Sequence, residues 1–487
     1  LLLGAADRRR RGDGAAAAAV AAHHQRHLGA LLDEPAHGPA REELDVVGVG
    51  TDGERPARRE RQGRDRHAAH STARGAPGGL APGIETCFIF RPMDFRDSPR
   101  EAAFRAEARA FLEAHRPGRW QHPFEDDVDE RELLAGQKAW QRTLFEHGWA
   151  AVLWPREYGG RGAGPIEAIV WNQELARVGL GESIFVVGTA MAGPTIIAHG
   201  TPEQKQRYLP PLLRGDEVWC QLFSEPGAGS DLASLAARAT RDGDHWVVSG
   251  QKTWCSGAHY ADWGILLART DPTVPKHKGI TYFLLDMHSP GVEIRPLRQM
   301  SGGSHFNEVF LNEVRIPDAN RLGPENAGWA AAMTTLLNER MALGGTGGFF
   351  SMAELLAHAR AHRDRLDAVT RDQLARLYCW DKALELLNAR VVTKLGRGMI
   401  PDAESSVMKL ALGRILTAGA DLGLRLAGPE ALRRHGPWQR QFLTAPSLHI
   451  AGGTDEIQKN LVAERVLGLP REARGDRDVP FEKLRRS

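Results

Sequence analysis

The spacing of apolar residues changes twice along this chain, and this change constrains the fold more than any other feature. Residues 93–217 repeat apolar positions at helical spacing. Residues 218–322 form short β-rich runs divided by Gly, Pro and Asp, and helical spacing returns over 323–487. Because helices and strands are segregated, the pattern predicts an α+β fold and not a βαβ sheet. We expect an N-terminal α-helical domain, a central β-sheet domain and a C-terminal helical bundle.

Helix boundaries are marked by local signals. The segment MDFRDSPREAAFRAEARAFLEAH places Phe104, Ala108, Phe111 and Leu112 on one helical face. In TPEQKQRYLPPLL, Thr201 precedes a proline and is predicted to cap the next helix. Both segments therefore indicate helices of the N-terminal domain.

Residues 1–92 differ in composition from the rest of the chain. They are rich in Arg, Ala and Gly, contain no Lys, and sustain no helical or strand period. Such a segment cannot bury enough apolar surface to offset chain entropy. We expect a low-complexity extension that is disordered or mis-annotated, with the working protein beginning at Met93. Because acidic residues interleave with the arginines, nucleic-acid binding is disfavoured.

Composition excludes several other classes. The formal net charge of +2 favours neither nucleic acid nor a strongly charged partner. The four cysteines lie far apart, with neither a CxxC pair nor metal-ligand spacing, so we expect free thiols, no metal site and a reducing cytoplasm. No run of 18 apolar residues occurs, so no membrane span is predicted.

Three short stretches are candidates for a binding site. In WCQLFSEPGAGSDLASL, glycines would let backbone N–H groups approach a phosphate or a flat ligand, although a plain turn gives the same pattern. In SGQKTWCSG, Trp254 and Ser256 are expected on one strand face, where they would suit an isoalloxazine ring, although a core Trp is the commoner case. In HIAGGTDEIQ, a glycine turn precedes Thr454, a predicted helix N-cap.

Six blocks together resemble the acyl-CoA dehydrogenase family, in its bacterial, actinobacterial type. They are GWAAVLWPREYGGRGAGP, HGTPEQKQRYLPPLLRGDE, LFSEPGAGSDLASL, VVSGQKTWCSG, VFLNEVRIP and GGTDEIQKNLVAERVLGLPRE. The resemblance covers residues 93–472 and implies a homodimer or homotetramer that binds FAD in a cleft between the sheet and the C-terminal bundle. It also implies an acyl-CoA substrate and an electron-transfer flavoprotein or a similar acceptor.

The resemblance carries cofactor contacts onto individual positions. It implies flavin-ring contacts at Gln221, Phe223 and Ser224, on the first strand and its end, and a pyrophosphate turn at Gly229 and Ser230. It also implies a second flavin segment at Trp254 and Ser256, and flavin contacts at Thr454 and Glu456 after the last glycine turn.

The position of the catalytic base departs from the commoner family pattern. Many members carry a Glu just before the last GT pair, where this chain has Gly452. The backbone N–H of Gly452 is implied to hydrogen-bond the thioester carbonyl instead. A minority of members carry the base on an early helix of the C-terminal domain, and there this chain has Glu339. We expect Glu339 to be the base, and Ser230, Arg340 and Gly453 to contact the acyl-CoA.

The sequence leaves two other functions open. The glycine at 452 also fits a non-catalytic or partner subunit of a heteromeric dehydrogenase. A flavin oxidase or monooxygenase can use the same fold, since fold does not fix function. The sequence does not define the acyl chain length, its branching or a sterol-type substrate.

Overall fold

The N-terminal domain consists of short helices. Their bounds are α1 Pro99–His115, α2 Glu130–Glu146, α3 Pro165–Arg177, α4 Gly193–His199 and α5 Pro202–Arg214. A π-helical turn, Val187–Ala192, directly precedes α4. The computed structural model describes, as one structural unit, residues 97–120, 129–181, 183–343, 350–397, 399, 404–433, 436–471, 475–476 and 478–484, without the side chains at 340–343, 392, 395 and 396. The predicted extension, residues 1–92, and the predicted start at Met93 lie outside the described residues.

Caps and apolar faces explain why these helices form where they do. Thr201 accepts the Gln204 N–H over 3.2 Å, and the Gln204 side chain accepts the Thr201 N–H over 3.1 Å, so the predicted cap is confirmed as a capping box. On α1, Ala108, Phe111 and Leu112 are buried as predicted. Local sequence signals therefore locate these helices correctly.

The central domain is one sheet of eight strands. Neighbouring strands are hydrogen-bonded in the spatial order β6-β7-β3-β2-β4-β5-β8. Strand β1 lies off this path and pairs with β4. Their bounds are β1 Trp219–Leu222, β2 Arg238–Asp242, β3 His245–Lys252, β4 Trp263–Arg269, β5 Ile280–Asp286, β6 Val292–Leu297, β7 Phe306–Pro317 and β8 Arg321–Leu322.

Strand β1 joins the sheet differently from its neighbours. It runs parallel to β4, with Trp219 opposite Trp263, and β2 meets the same edge of β4 farther along, where Arg238 lies opposite Arg269. The other edge of β4 is paired with β5 along its whole length. Thus β1 and β2 lie end to end beside β4, and loop 223–237 connects them at the interruption.

The C-terminal part is helical, which confirms the α+β fold class. Its α9 packs against α7, α8, α10 and α11 and forms the centre of the bundle. Helix α6 packs against the sheet at β5. The bounds are α6 Gly328–Leu343, α7 Met352–Ala361, α8 Ala368–Gly396, α9 Glu404–Ala427, α10 Pro437–Leu448 and α11 Asp455–Arg465.

Candidate active site

The glycine turn, residues 226–230, lies in the loop between β1 and β2. Glu225 and Ala228 exchange backbone hydrogen bonds of 3.1 and 3.0 Å around the turn. A Cβ atom added at Gly227 or Gly229 would meet no protein atom within 4 Å, and neither glycine has a left-handed φ. The protein's own packing therefore does not require glycine at these two positions. A ligand that approaches the backbone closely would require it.

A buried ion pair holds the base of this loop. The Glu225 carboxylate accepts hydrogen bonds from the N–H groups of Ala236 and Ala237, over 2.6 and 2.9 Å. It also accepts one from Lys252 Nζ over 2.7 Å, and Lys252 donates in addition to the Phe223 carbonyl over 3.2 Å. Burial lowers the pKa of Lys252, and the charge of Glu225 opposes that effect. Both ends of the loop are thus tied to the end of β3.

Sequence reasoning did not identify Glu225 or Lys252 as part of the site. The available signal was a charged residue at an inward position of a β-rich segment, which is uncommon unless the charge is paired. Their pairing joins residues on different elements, so neither local sequence could name the partner.

Residues that end β1 approach the same region. The Phe223 ring is buried edge-to-face against Tyr282, with centroids 5.8 Å apart, so only its backbone is available to a ligand. The Ser224 carbonyl accepts the Thr253 N–H over 2.9 Å, which joins the loop to the segment after β3. Ser230 is exposed at the end of the turn.

The expectation that Trp254 and Ser256 share a strand face is wrong. Strand β3 ends at Lys252, and Trp254 has a left-handed backbone with φ 59°. A left-handed residue breaks the two-residue alternation of a strand, so the period cannot be extended to Ser256. The Trp254 ring is 62% exposed and contacts Phe306 edge-to-face at 5.8 Å. It therefore presents a large aromatic surface beside the loop and not in the core.

Glu339 lies near the end of α6 and is brought to β1. Gln221 Nε2 donates to Glu339 Oε2 over 3.4 Å, and both side chains are partly buried. One turn earlier on α6, the buried Thr335 hydroxyl lies 2.9 Å from the Thr195 hydroxyl and 3.1 Å from that of Tyr282. These contacts fix α6 against the sheet and α4, and so fix the position of the Glu339 backbone.

The second glycine turn, residues 451–453, precedes α11. Gly452 and Gly453 have φ 66° and 90°, and the buried Gln458 donates to the Gly452 carbonyl over 2.8 Å. Thr454 accepts the Ile457 N–H over 3.3 Å, which confirms the predicted N-cap. Glu456 is exposed in the first turn of α11.

This second turn is anchored on α9. Asp455 accepts a hydrogen bond from Lys409 Nζ over 2.9 Å and lies 2.7 Å from His449 Nδ1. Burial acts to raise the pKa of Asp455, but its bonds to His449 and Lys409 lower it. Thr454 and Glu456 are therefore held on the bundle, whereas Gln221 and Glu339 meet at the sheet. The side chain of Arg340 lies outside the described residues.

These residues are chemically suited to FAD. The loop offers backbone N–H groups beside open space at two glycines, the Ser224, Ser230 and Ser256 hydroxyls can donate, and Trp254 offers an aromatic face. In the described ranges, no group of three or more His, Cys, Asp or Glu residues is arranged to hold a metal ion. None of the helices described is both long and apolar enough to span a bilayer.

Comparison with known proteins finds family models that match three consecutive parts of the chain. Three family models match, described as the acyl-CoA dehydrogenase N-terminal domain over residues 98–216, the middle domain over 220–314, and the C-terminal domain over 326–467.

Two relatives come from Mycobacterium tuberculosis. Acyl-CoA dehydrogenase FadE34 is 47% identical over 333 residues, which are 68% of this chain and 46% of FadE34. The chain thus spans about half the length of that relative. Acyl-CoA dehydrogenase IpdE1 is 36% identical over 360 residues, which are 71% of this chain and 91% of IpdE1.

Two solved structures superpose on most of this chain. The "Tcur3481-Tcur3483 steroid ACAD" superposes with a TM-score of 0.69 and 31% identity, covering 78% of this chain and 100% of that one. The ChsE4-ChsE5 complex from Mycobacterium tuberculosis gives a TM-score of 0.66 and 30% identity, with the same coverage of 78% and 100%.

Proposed function

The chain belongs to the acyl-CoA dehydrogenase family, and on that premise we propose that Glu339 is the base that removes the α-proton of an acyl-CoA thioester, giving a trans-2-enoyl-CoA. The observation that carries this proposal is the contact between Gln221 and Glu339. It holds a carboxylate from the helical part beside the strand from which the glycine loop departs. FAD, when bound, supplies the acceptor for the hydride that leaves the β-carbon.

Different residues of the chain bind the cofactor, contact the substrate and orient the base. The glycine turn, Ser224 and Ser230 bind the cofactor, with Ser230 also contacting the substrate, and Trp254 covers the flavin ring. Gln221 donates to the Glu339 carboxylate and so orients it toward the α-carbon. The exposed ring of Trp254 and the open space at Gly229 support these assignments.

The second glycine turn has a role in polarising the substrate. Gly452 has no side chain that could act as a base, so its contribution is its backbone N–H, which donates to the thioester carbonyl. An aligned donor of this kind contributes about 3–4 kcal/mol to stabilising the developing oxyanion. We further assign Arg340 and Gly453 to binding of the acyl-CoA, and Thr454 and Glu456 to binding of the flavin, as the family resemblance implies.

The substrate we propose is a bulky, steroid-type acyl-CoA. A solved structure that resembles this chain is titled a steroid ACAD, and it covers 78% of the chain at 31% identity. The name of that structure joins Tcur3481 and Tcur3483, and a second similar structure is the complex of ChsE4 and ChsE5. We therefore propose assembly with a second family member, with a flavoprotein as the electron acceptor.

Anaerobic flavin bleaching tests this function. The protein, alone and together with a candidate partner chain, is loaded with FAD and mixed with a steroid side-chain CoA ester, butyryl-CoA or palmitoyl-CoA. We expect loss of the visible flavin band, fastest with the steroid ester. In Glu339→Gln, the band should fade about 10²–10⁴-fold more slowly, because general-base catalysis is lost. FAD and acyl-CoA should still bind.

Three outcomes would contradict the proposal. A folded protein, with or without partner, that takes up no FAD removes the whole function. Bleaching at an unchanged rate in Glu339→Gln places the base elsewhere, or in a partner chain, which is the non-catalytic alternative. Rapid reoxidation of the reduced flavin by oxygen would favour an oxidase or monooxygenase.

A further inference from the structure

The chain returns to the β-sheet domain after its last helix. The segment formed by residues 475–476 and 478–484, here called the C-terminal strap, follows residue 467, where the family match ends. Phe481 N–H donates to the Val274 carbonyl over 2.9 Å, and Glu482 N–H donates to the Pro272 carbonyl over 3.0 Å. The Phe481 side chain is buried. The strap is thus seated on the connection between β4 and β5.

A buried cation links the strap to the glycine loop. Arg269, the last residue of β4, donates to the carbonyls of Ala233 and Leu235 over 2.6 and 3.0 Å, and both belong to the loop between β1 and β2. The Arg269 guanidinium lies 3.5 Å from the centroid of the Phe481 ring. A desolvated cation over an aromatic face is strongly held. Phe481 therefore covers the group that orients the loop.

A second, ionic link lies next to the turn. Lys276 is buried, and its Nζ donates to Asp231 over 2.8 Å and to Asp476 over 2.7 Å. Asp231 directly follows Ser230, the last residue of the glycine turn, whereas Asp476 belongs to the strap. Burial acts to lower the pKa of Lys276, but the two carboxylates outweigh it and raise that pKa. The ammonium group thus bridges the strap and the turn in its charged form.

We propose that the C-terminal strap is a positioning element of the glycine turn, through which Asp476 and Phe481 hold the turn ready for a phosphate-bearing ligand. The inference rests on the proposed function insofar as the ligand is FAD or the CoA ester. A turn that contains glycines beside open space loses much conformational freedom when it is ordered. If the loop is already ordered before binding, this entropy is not lost on binding, so the affinity for the ligand is higher.

The test compares Phe481→Ala and Asp476→Asn with the parent chain. In Phe481→Ala, which loses a desolvated cation–π contact, we expect the FAD dissociation constant to rise about tenfold or more. In Asp476→Asn, which loses a charge-assisted hydrogen bond, we expect it to rise about three- to tenfold. The rate of flavin reduction at saturating FAD and acyl-CoA should stay within about twofold, because Gln221 and Glu339 are on other elements. Phe481→Tyr keeps the ring and should restore FAD affinity.

A matched control distinguishes positioning from general stability. Arg295, which is more exposed than Arg269, lies over the Phe310 ring at 4.5 Å elsewhere on the sheet, so Phe310→Ala removes a cation–π contact away from the loop and should leave FAD affinity unchanged. Hydrogen exchange of the peptide covering residues 225–237 should quicken in Phe481→Ala, measured without ligand, and not in Phe310→Ala.

The outcomes separate this inference from the proposed function. If the parent chain binds no FAD, the proposed function fails, while faster exchange of residues 225–237 still supports the strap. If that exchange is unchanged in Phe481→Ala and Asp476→Asn, the strap does not position the turn. Lower melting temperatures with unchanged FAD affinity overturn the inference as well.

Discussion

Gln221 on β1 and Glu339 on α6 are joined by a hydrogen bond of 3.4 Å from an amide nitrogen to a carboxylate oxygen. The bond connects two segments that are distant in sequence. An amide N–H donor stabilises the ionised form of a carboxyl group, and a carboxyl group must be ionised to accept a proton. Substitution at Gln221 therefore tests the role of Glu339 without removing Glu339.

The first prediction concerns Gln221→Glu. Two carboxylates at this distance cannot both ionise easily, so the pKa for ionising the second of them rises. A base with a raised pKa becomes active only at higher pH, so the acidic limb of flavin reduction should move up by about one pH unit or more. The measurement is the reduction rate by acyl-CoA between pH 5 and 9.

A matched control uses another Gln–Glu pair of the sheet. Gln251 donates to Glu308 over 2.8 Å, so Gln251→Glu introduces the same repulsion away from Glu339. Its pH profile should match that of the parent protein. An unshifted profile in Gln221→Glu would contradict the proposed coupling between position 221 and the base.

The second prediction moves the base to the other family position. Gly452→Glu in a Glu339→Gln background should recover a small part of the lost reduction rate. The recovery is limited because Gly452 has φ 66°, where a side chain costs about 1–2 kcal/mol. Gly452→Gln in the same background carries the strain without basicity and should recover nothing. Equal rates in these two double variants would show that position 452 does not reach the α-carbon.

The third prediction separates stability from cofactor binding at Trp254. A non-glycine residue at φ 59° is strained, so Trp254→Gly should leave the apo-protein equally stable or stabilise it by up to about 1 kcal/mol. The same change removes the exposed ring and should weaken FAD binding. Thermal melting of the apo-protein and FAD titration measure the two effects.

Glu313→Gly provides the comparison for Trp254. Glu313 has φ 54° within β7, so the glycine relieves similar strain. Its FAD affinity should be unchanged. If both variants bind FAD like the parent chain, Trp254 has no role in holding the flavin.

The fourth prediction is a pH dependence that arises in the N-terminal helices. The buried Glu174 carboxylate is bonded to three arginine side chains, Arg105, Arg109 and Arg177. Burial acts to raise the pKa of Glu174, but the arginines lower it from 4.5 to about 2. Because the folded pKa is below the unfolded one, this stabilisation is complete above pH 4.5 and is lost as the pH falls toward 2.

Glu174→Gln should therefore lower the free energy of unfolding at pH 7 by about 1–3 kcal/mol, since it leaves three partly exposed arginine side chains without their buried carboxylate partner. The loss should shrink below pH 4. Glu113→Gln is the control, because Glu113 is an exposed partner of Arg177 at 3.5 Å and such pairs contribute little, about 0–1 kcal/mol. Urea unfolding at several pH values measures both variants. A loss in Glu174→Gln that does not change with pH would contradict the assigned cause.

Sequence reasoning succeeded where the physical cause is local. The caps at Thr201 and Thr454 depend on residues three positions away, and the apolar face of α1 depends on helical spacing. It failed at Trp254, because nothing in the strand period signals a left-handed residue. It could not pair Lys276 with Asp476, since ion pairs between distant segments leave no local pattern.

The parallel attachment of β1 to β4 has a consequence for folding. The chain between Trp219 and Trp263 contains both β2 and β3, whereas β2 and its antiparallel neighbour β3 are joined by a short turn. Closing a long loop before its contacts form slows folding. We therefore expect β1, which carries Gln221, to dock late, and the site to be assembled last on a sheet that is already formed.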